Sequence, residues 1–151
     1  MNQNLNDEAL RQERVRNTVL EKVKNHQALS DDDIRVVCPV AFKETMSSKE
    51  IRSLGLSKHY SFVPTSNVIN DLRSMGWECV DAKQVKARKK STRGYQKHML
   101  TFEHPDYKID QVKEVEIADG VTETQIIKPE EYPQLLLTNS HDGGNAFTLS
   151  A

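Results

Sequence analysis

Seven cations and no acid lie between residues 83 and 97: Lys83, Lys86, Arg88, Lys89, Lys90, Arg93 and Lys97. A phosphodiester backbone is bound by such a cluster, through ion pairing and the release of condensed counterions. Tyr95 stands among them, and an aromatic ring can stack on unpaired bases. These eight residues form the candidate nucleic-acid-binding set, with single-stranded DNA the first ligand to consider. The same cations would also suit a solvated hairpin tip, or a contact with an acidic stretch of a neighbouring copy.

A second candidate is the adjacent pair His141-Asp142, types that serve as base and orienter in hydrolases. Neighbouring residues on a strand or turn point apart, however, and no Ser or Cys nucleophile stands in a recognisable context. Asn139, Ser140, His141 and Asp142 read instead as a tight turn held by side-chain-to-backbone hydrogen bonds. His98, His104, His141 and Glu103 are ligand types without ligand spacing. Asp31, Asp32 and Asp33 are consecutive, so on a helix they point in different directions and mark a helix start rather than a metal cage. No dinucleotide fingerprint, P-loop or zinc-protease motif occurs. The expectation is a protein that is not an enzyme, with no catalytic residues, metal or cofactor.

The 151 residues suffice for one domain with a core, and 28% charged against 36% hydrophobic residues is a soluble, foldable balance. A net charge of −1 excludes both a uniformly basic nucleic-acid coat and an acidic DNA mimic, so electrostatic function must come from local patches. Cys38 and Cys79 sit among apolar neighbours without metal spacing, as reduced core thiols of a cytoplasmic protein do. The polar N-terminus does not read as a signal peptide, and no apolar run nears the ~18 residues that span a bilayer.

The elements that must position the basic cluster follow from pattern. Residues 1–29 read as an amphipathic helix capped by Asn6, with Leu10, Val15, Val19, Leu20 and Val23 as a sparse stripe that docks, pairs with a copy or stays free. Ser30 caps a second helix that Pro39 ends. Ser47 or Ser48 caps a third, stopped at Gly55. Tyr60, Phe62 and Val63 alternate as a short strand would. Thr65 caps a fourth helix whose face is Val68, Ile69, Leu72 and Met75, closed by Gly76. A strand from Trp77, the basic loop, and a strand over 95–103 make a long basic hairpin.

Residues 103–131 reverse the charge, with nine acids (Glu103, Asp106, Asp110, Glu114, Glu116, Asp119, Glu123, Glu130 and Glu131) against three lysines. Asp119-Gly120 between β-branched runs signals a hairpin, and Pro129 and Pro133 bracket a linker. Gln134 to Asn139 reads as a central strand buried on both sides, and Ala146 to Leu149 as the start of a last one.

Three segments in order, YSFVPTSNVINDLRSMGWECVDA, TRGYQKHMLTFEH and LLLTNSHDGGNAFTLSA, resemble a family of phage- and plasmid-borne proteins of unknown function, the domain of unknown function numbered nine-three-two. The likeness spans residues 60 to 151. It implies a mobile-element protein and carries no catalytic set. The family's pattern continues past the final LSA, so a C-terminally truncated relative, or a stand-alone version of the family's N-terminal half, is expected. A helix ending in Gly-Trp followed by a long hairpin is also similar in topology to phage single-strand-annealing proteins of the Erf and Sak type, by fold analogy alone.

The fold class expected is α+β: N-terminal helices (1–29 one amphipathic helix, 30–151 a single α+β domain), then an antiparallel sheet with a long basic hairpin. The expected function is non-enzymatic binding of nucleic acid, single-stranded DNA first, by Lys83, Lys86, Arg88, Lys89, Lys90, Arg93, Tyr95 and Lys97. The alternative is a mobile-element protein that acts on a host protein, such as an anti-CRISPR-like inhibitor. A homo-oligomer is a further possibility, and no membrane partner is expected.

Overall fold

Two serines begin two of the helices by the same device. Ser30 accepts a hydrogen bond from Asp33 N while the Asp33 carboxylate accepts from Ser30 N, and Ser47 and Glu50 do likewise. These capping boxes start α2 (Asp31–Val37) and α3 (Ser48–Ser53) in a computed structural model that describes residues 2–57, 60–108, 112–126, 132–143 and 147–151. The three adjacent aspartates are taken up by structure: Asp31 by Arg73, Asp32 by Arg35, and Asp33 by Lys22 and the cap. Pro39 ends α2 and opens a 3-10 turn, Pro39–Phe42, that buries Val40 and Ala41.

The architecture is α+β, as expected. Helices α1 (Asn2–Lys24), α2, α3 and α4 (Thr65–Ser74) precede β1 (Glu78–Gln84), β2 (His98–Glu103), β3 (Val112–Ala118), β4 (Val121–Ile126), β5 (Gln134–Asn139) and β6 (Thr148–Ser150). The main sheet has the order β1-β2-β5-β6, all antiparallel, and β3-β4 form a separate hairpin. That hairpin is an excursion between two neighbouring strands. The chain leaves β2 at Glu103 and re-enters β5 at Gln134, and these two residues are paired across the sheet. The basic loop joins β1 to β2 at the other end, where Gln84 faces His98.

Burial of apolar side chains drives the helices onto one layer. Ile34 and Cys38 from α2 and its cap, Ile69 and Leu72 from α4, Cys79 and Ala82 from β1, Leu100 and Phe102 from β2, and Leu137 from β5 form one core, which Val19 and Leu29 join. Both thiols lie in it fully buried, and burial pushes each up to about 12. A bulge between Cys79 and Asp81 lets β1 bury Cys79 and Val80 in succession. Leu29 N donates to Cys79 O (2.7 Å), so the chain between α1 and α2 covers the outer edge of β1.

Several expectations are corrected. Helix α1 begins at Asn2, so Asn6 is inside it and caps nothing. Of its stripe, Val19 is buried and Val23 half-buried, while Leu10, Val15 and Leu20 are exposed. Residues 60–64 form no strand; among the described residues no strand pairs with them, and they lead straight into α4. Thr65 is the first residue of α4, with Pro64 at the cap position, and its hydroxyl is used elsewhere. Met75 is 61% exposed, past the last turn that touches the core. Strand β2 starts at His98 rather than at Tyr95. Inner strand β5 buries Leu137 fully but Leu135 and Leu136 only in part. Ile127, Pro129, Glu130, Glu131, Asp110, Lys128, Gly144, Asn145 and Ala146 lie outside the described residues.

Helices α1, α3 and α4 end in left-handed residues. Gly76 has φ +91°, with Trp77 N donating to Leu72 O and Gly76 N to Arg73 O. A Cβ there would also lie 2.5 Å from His104 Nε2. Gly76→Ala should therefore cost about 1–2 kcal/mol in urea denaturation, the strain of the left-handed region for an L-residue. Helix α1 closes the same way without glycine: His26 has φ +53°, Gln27 N donates to Lys22 O, and His26 N to Val23 O. What holds His26 there is its side chain, whose Nδ1 lies 2.8 Å from Glu103 Oε2.

Glu103 is the sharpest departure from strand alternation. By alternation it shares a face with the half-buried Met99 and Thr101, yet it is fully buried. Its carboxylate takes Gln134 Nε2 and His26 Nδ1 on Oε2, each at 2.8 Å, and Lys108 Nζ at 3.0 Å from Oε1. Burial alone would push its pKa up, but the bonds from Gln134, Lys108 and His26 outweigh it and hold the group below the usual carboxylate range. One of the nine acids of the acidic segment is thus interior and contributes nothing to a surface field.

Candidate nucleic-acid interface

Between β1 and β2 the chain makes one more hairpin bond, Val85 N to Lys97 O (3.0 Å), and then opens into the basic loop. A 3-10 turn over Lys90–Thr92 shapes its tip, Thr92 Oγ1 donates to Lys89 O, and Gly94 supplies a left-handed residue at φ +92°. Gly94 N donates to Gln96 Oε1 (2.6 Å), and Gln96 is itself buried. The loop is thereby given a defined course.

It is also anchored from a distance. The Tyr95 hydroxyl donates to Glu50 Oε2, Lys43 Nζ lies 4.7 Å above the Tyr95 ring, and Lys43 pairs with Glu50 at 2.7 Å. The bond from Lys43, then that from Tyr95, brings the Glu50 carboxyl down to about 2, and Glu50 in turn raises the Tyr95 phenol. Tyr95 O accepts from His141 N (3.0 Å). Tyr95 is therefore half-buried, with its hydroxyl and one ring face engaged.

The cations distribute over two adjoining cavities that share Gln96. One, of about 400 Å³, is lined by Lys86, Arg88, Lys89, Thr92, Lys97 and Asp142. The other, of about 420 Å³, takes Arg93 together with Lys43 and Phe42. Lys90 is exposed on the tip, and Lys83 stands apart on β1, 3.7 Å from the Asp81 carboxylate. Among the described residues, no salt bridge engages Lys86, Arg88, Lys89, Lys90 or Arg93. The predicted set is thus brought together in its middle, Lys86 to Lys89 with Lys97, and spread at its ends. Lys43 and Glu50 carry no signal in the sequence; Glu50 lies 45 residues upstream and Lys43 further still, and only the fold brings them to Tyr95.

Behind the loop lies a buried polar chain. Gln96 O can only accept, so His98 Nδ1 donates to it (2.9 Å) and His98 Nε2 accepts from Thr65 Oγ1 (2.6 Å). Thr65 Oγ1 then accepts from Asn139 Nδ2 (3.1 Å), whose other hydrogen goes to Val63 O (2.9 Å). Every one of these groups has its partner, and burial keeps His98 neutral by pushing its pKa down.

His141 packs beside this chain, its ring 5.0 Å from that of His98 and 4.8 Å from Phe62. Its Nε2 donates to Val40 O (3.2 Å), and Nδ1 has no hydrogen-bond partner among the described residues. Burial first, and then His98, pushes His141 down to about 4. His98 and His141 meet, but His104 packs on Trp77 and Tyr107 and Glu103 lies at the far end of β2, so the four potential ligands do not converge.

Among the described residues no helix is long and apolar enough to cross a membrane. A family model described as a domain of unknown function, DUF932, matches residues 55–151, the part that holds α4, the basic loop and both sheets. No solved structure matches the chain.

Proposed function

The chain belongs to the DUF932 family, and from that premise we propose that it is a non-enzymatic, phage- or plasmid-borne protein that binds nucleic acid, single-stranded DNA first, through the loop between β1 and β2. The observation that carries this reading is the group of cations that, among the described residues, enter no salt bridge and lie around a cavity of about 400 Å³, on a loop tied down through Tyr95 to Glu50. A loop whose backbone is already tied down gives up less freedom on meeting a phosphate backbone, so more of the Coulomb and counterion gain survives as affinity. The protein would act by binding, in the cytoplasm, with its buried thiols reduced.

Titrating a labelled oligothymidine over a range of salt tests it. Affinity should fall steeply with salt. Changing Arg88, Lys89, Lys90 and Arg93 together to Ala should lower the log–log slope by about 3, since each neutralised phosphate of a single strand contributes about 0.7. A flat salt dependence, or an unchanged affinity in the four-fold variant, sinks the reading.

One observation favours a second reading, contact with a host protein in the manner of an anti-CRISPR-like inhibitor. Leu5, Leu10, Val15 and Leu20 of α1 are all at least 45% exposed, four apolar side chains spread around a helix that the domain leaves uncovered there. In that case Leu10→Arg with Val15→Arg abolishes activity toward the host, while the four-fold Ala variant retains it.

A further inference from the structure

The second sheet is an arm. In β3-β4, Glu114 and Glu116 face Thr124 and Thr122 across the hairpin, Glu123 faces Val115, and Asp119 and Gly120 form the tip. From 114 to 124 every side chain is exposed except the half-buried Val115. Each strand packs chiefly on the other, and an isolated two-stranded hairpin is marginal in water. Ile117 and Val121 are 59% and 50% exposed, apolar surface that such a hairpin gains by covering. Its exposed charge is acidic throughout, with Lys113 near the root as the one basic residue of the two strands.

The basic loop is the mirror of this arm in charge and its opposite in position. The arm's roots lie at the Glu103 end of β2 and the loop's at the His98 end, about 17 Å away along the strand at ~3.3 Å per residue. That separation exceeds the screening length of about 8 Å at physiological salt. Among the described residues no ion pair joins arm to loop. Opposite charges that form no pair within one copy, among the described residues, are available to attract between copies.

We propose that the acidic β3-β4 arm of one copy docks on the basic loop of a second copy, head to tail. Such a contact is heterologous, since two different patches meet, so it propagates into larger assemblies instead of closing as a two-fold dimer. It uses the same cations that nucleic acid would, and it stands whether or not nucleic acid binds.

Sedimentation velocity across protein and salt concentration reads it directly. Wild type should form concentration-dependent species that dissolve as salt rises. An arm variant (Glu114→Lys, Glu116→Lys, Glu123→Lys) and a loop variant (Arg88→Glu, Lys89→Glu, Lys90→Glu) should each associate at least tenfold more weakly. Mixed in equal amounts they should associate again, because each supplies the charge the other now meets, and misfolded variants would not regain this. Wild type that stays monomeric at every concentration, an association indifferent to both reversals, or a mixture that fails to recover overturns the proposal. The arm variant keeps the loop intact, so its oligothymidine affinity reports on nucleic-acid binding separately from assembly.

Discussion

Replacing Thr65 with Val should lower the free energy of unfolding by about 2–6 kcal/mol, read from urea denaturation, because each of two buried groups left bare costs about 1–3 kcal/mol. Valine keeps the shape and removes the oxygen that joins His98 Nε2 to Asn139 Nδ2. Both groups are buried, and the variant leaves an acceptor and a donor without their protein partner. The damage reaches beyond one hydrogen bond, since this chain pins the start of α4 to the two inner strands β2 and β5. Thr65→Ser keeps the oxygen and should cost no more than about 1.5 kcal/mol, in line with removing one buried methyl group. A helix-cap role for Thr65 would give another pattern, with Thr65→Asn as good as wild type and Thr65→Val costing only about 1 kcal/mol. That pattern would refute the buried chain as the support of α4.

Acid should weaken the fold well before its carboxylates titrate. His141 is about 4 in the folded protein against an ordinary value of 6.5. Between those values the unfolded chain binds a proton that the folded one refuses. The contribution of His141 is therefore complete above pH 6.5 and lost as pH falls toward 4, about 3 kcal/mol in all at 1.36 kcal/mol per pH unit. His98, also lowered, acts in the same direction. Below 4.5 the depressed carboxylates follow: Glu103 and Glu50 stabilise the fold while ionised, and that stability goes as pH falls through their folded values, about 2 for Glu50. In His141→Phe the slope of stability against pH between 6.5 and 4 should drop by up to about 1.4 kcal/mol per pH unit. A variant whose profile superimposes on wild type would show that the buried imidazole is not the acid-sensitive group.

The parts of this molecule that were legible beforehand are the local ones. Ser30 and Ser47 with their partners three residues on, Gly55 and Gly76 past helix ends, and the Asp119-Gly120 hairpin act within a few residues of themselves. The misreadings share a cause, which is that distant partners decide the outcome. Tyr60, Phe62 and Val63 alternate correctly for a strand, but among the described residues no strand pairs with them, and Phe62 goes to His141 instead. Thr65 has the chemistry of a cap, yet His98 and Asn139 take its hydroxyl from 33 and 74 residues away. Glu103 obeys alternation in sequence, and only the arrival of His26, Lys108 and Gln134 makes burying it tolerable. The candidate interface divides along the same line: its charge was plain from the run of lysines and arginines, while its anchor at Lys43, Glu50 and Tyr95 exists only once the chain is folded.

The two core thiols make this protein its own clock. Cys38 ends α2 and Cys79 lies on β1, both fully buried and both held in the unreactive protonated form. A thiol reagent at pH 8 can reach neither until the layer of helices lifts from the sheet. The pace of modification, set against that of the unfolded chain, therefore counts how often the core breathes. Equal rates at the two sites would mean that helices and sheet part in a single event. A faster Cys38 would mean that α2 peels away while the strands stay joined.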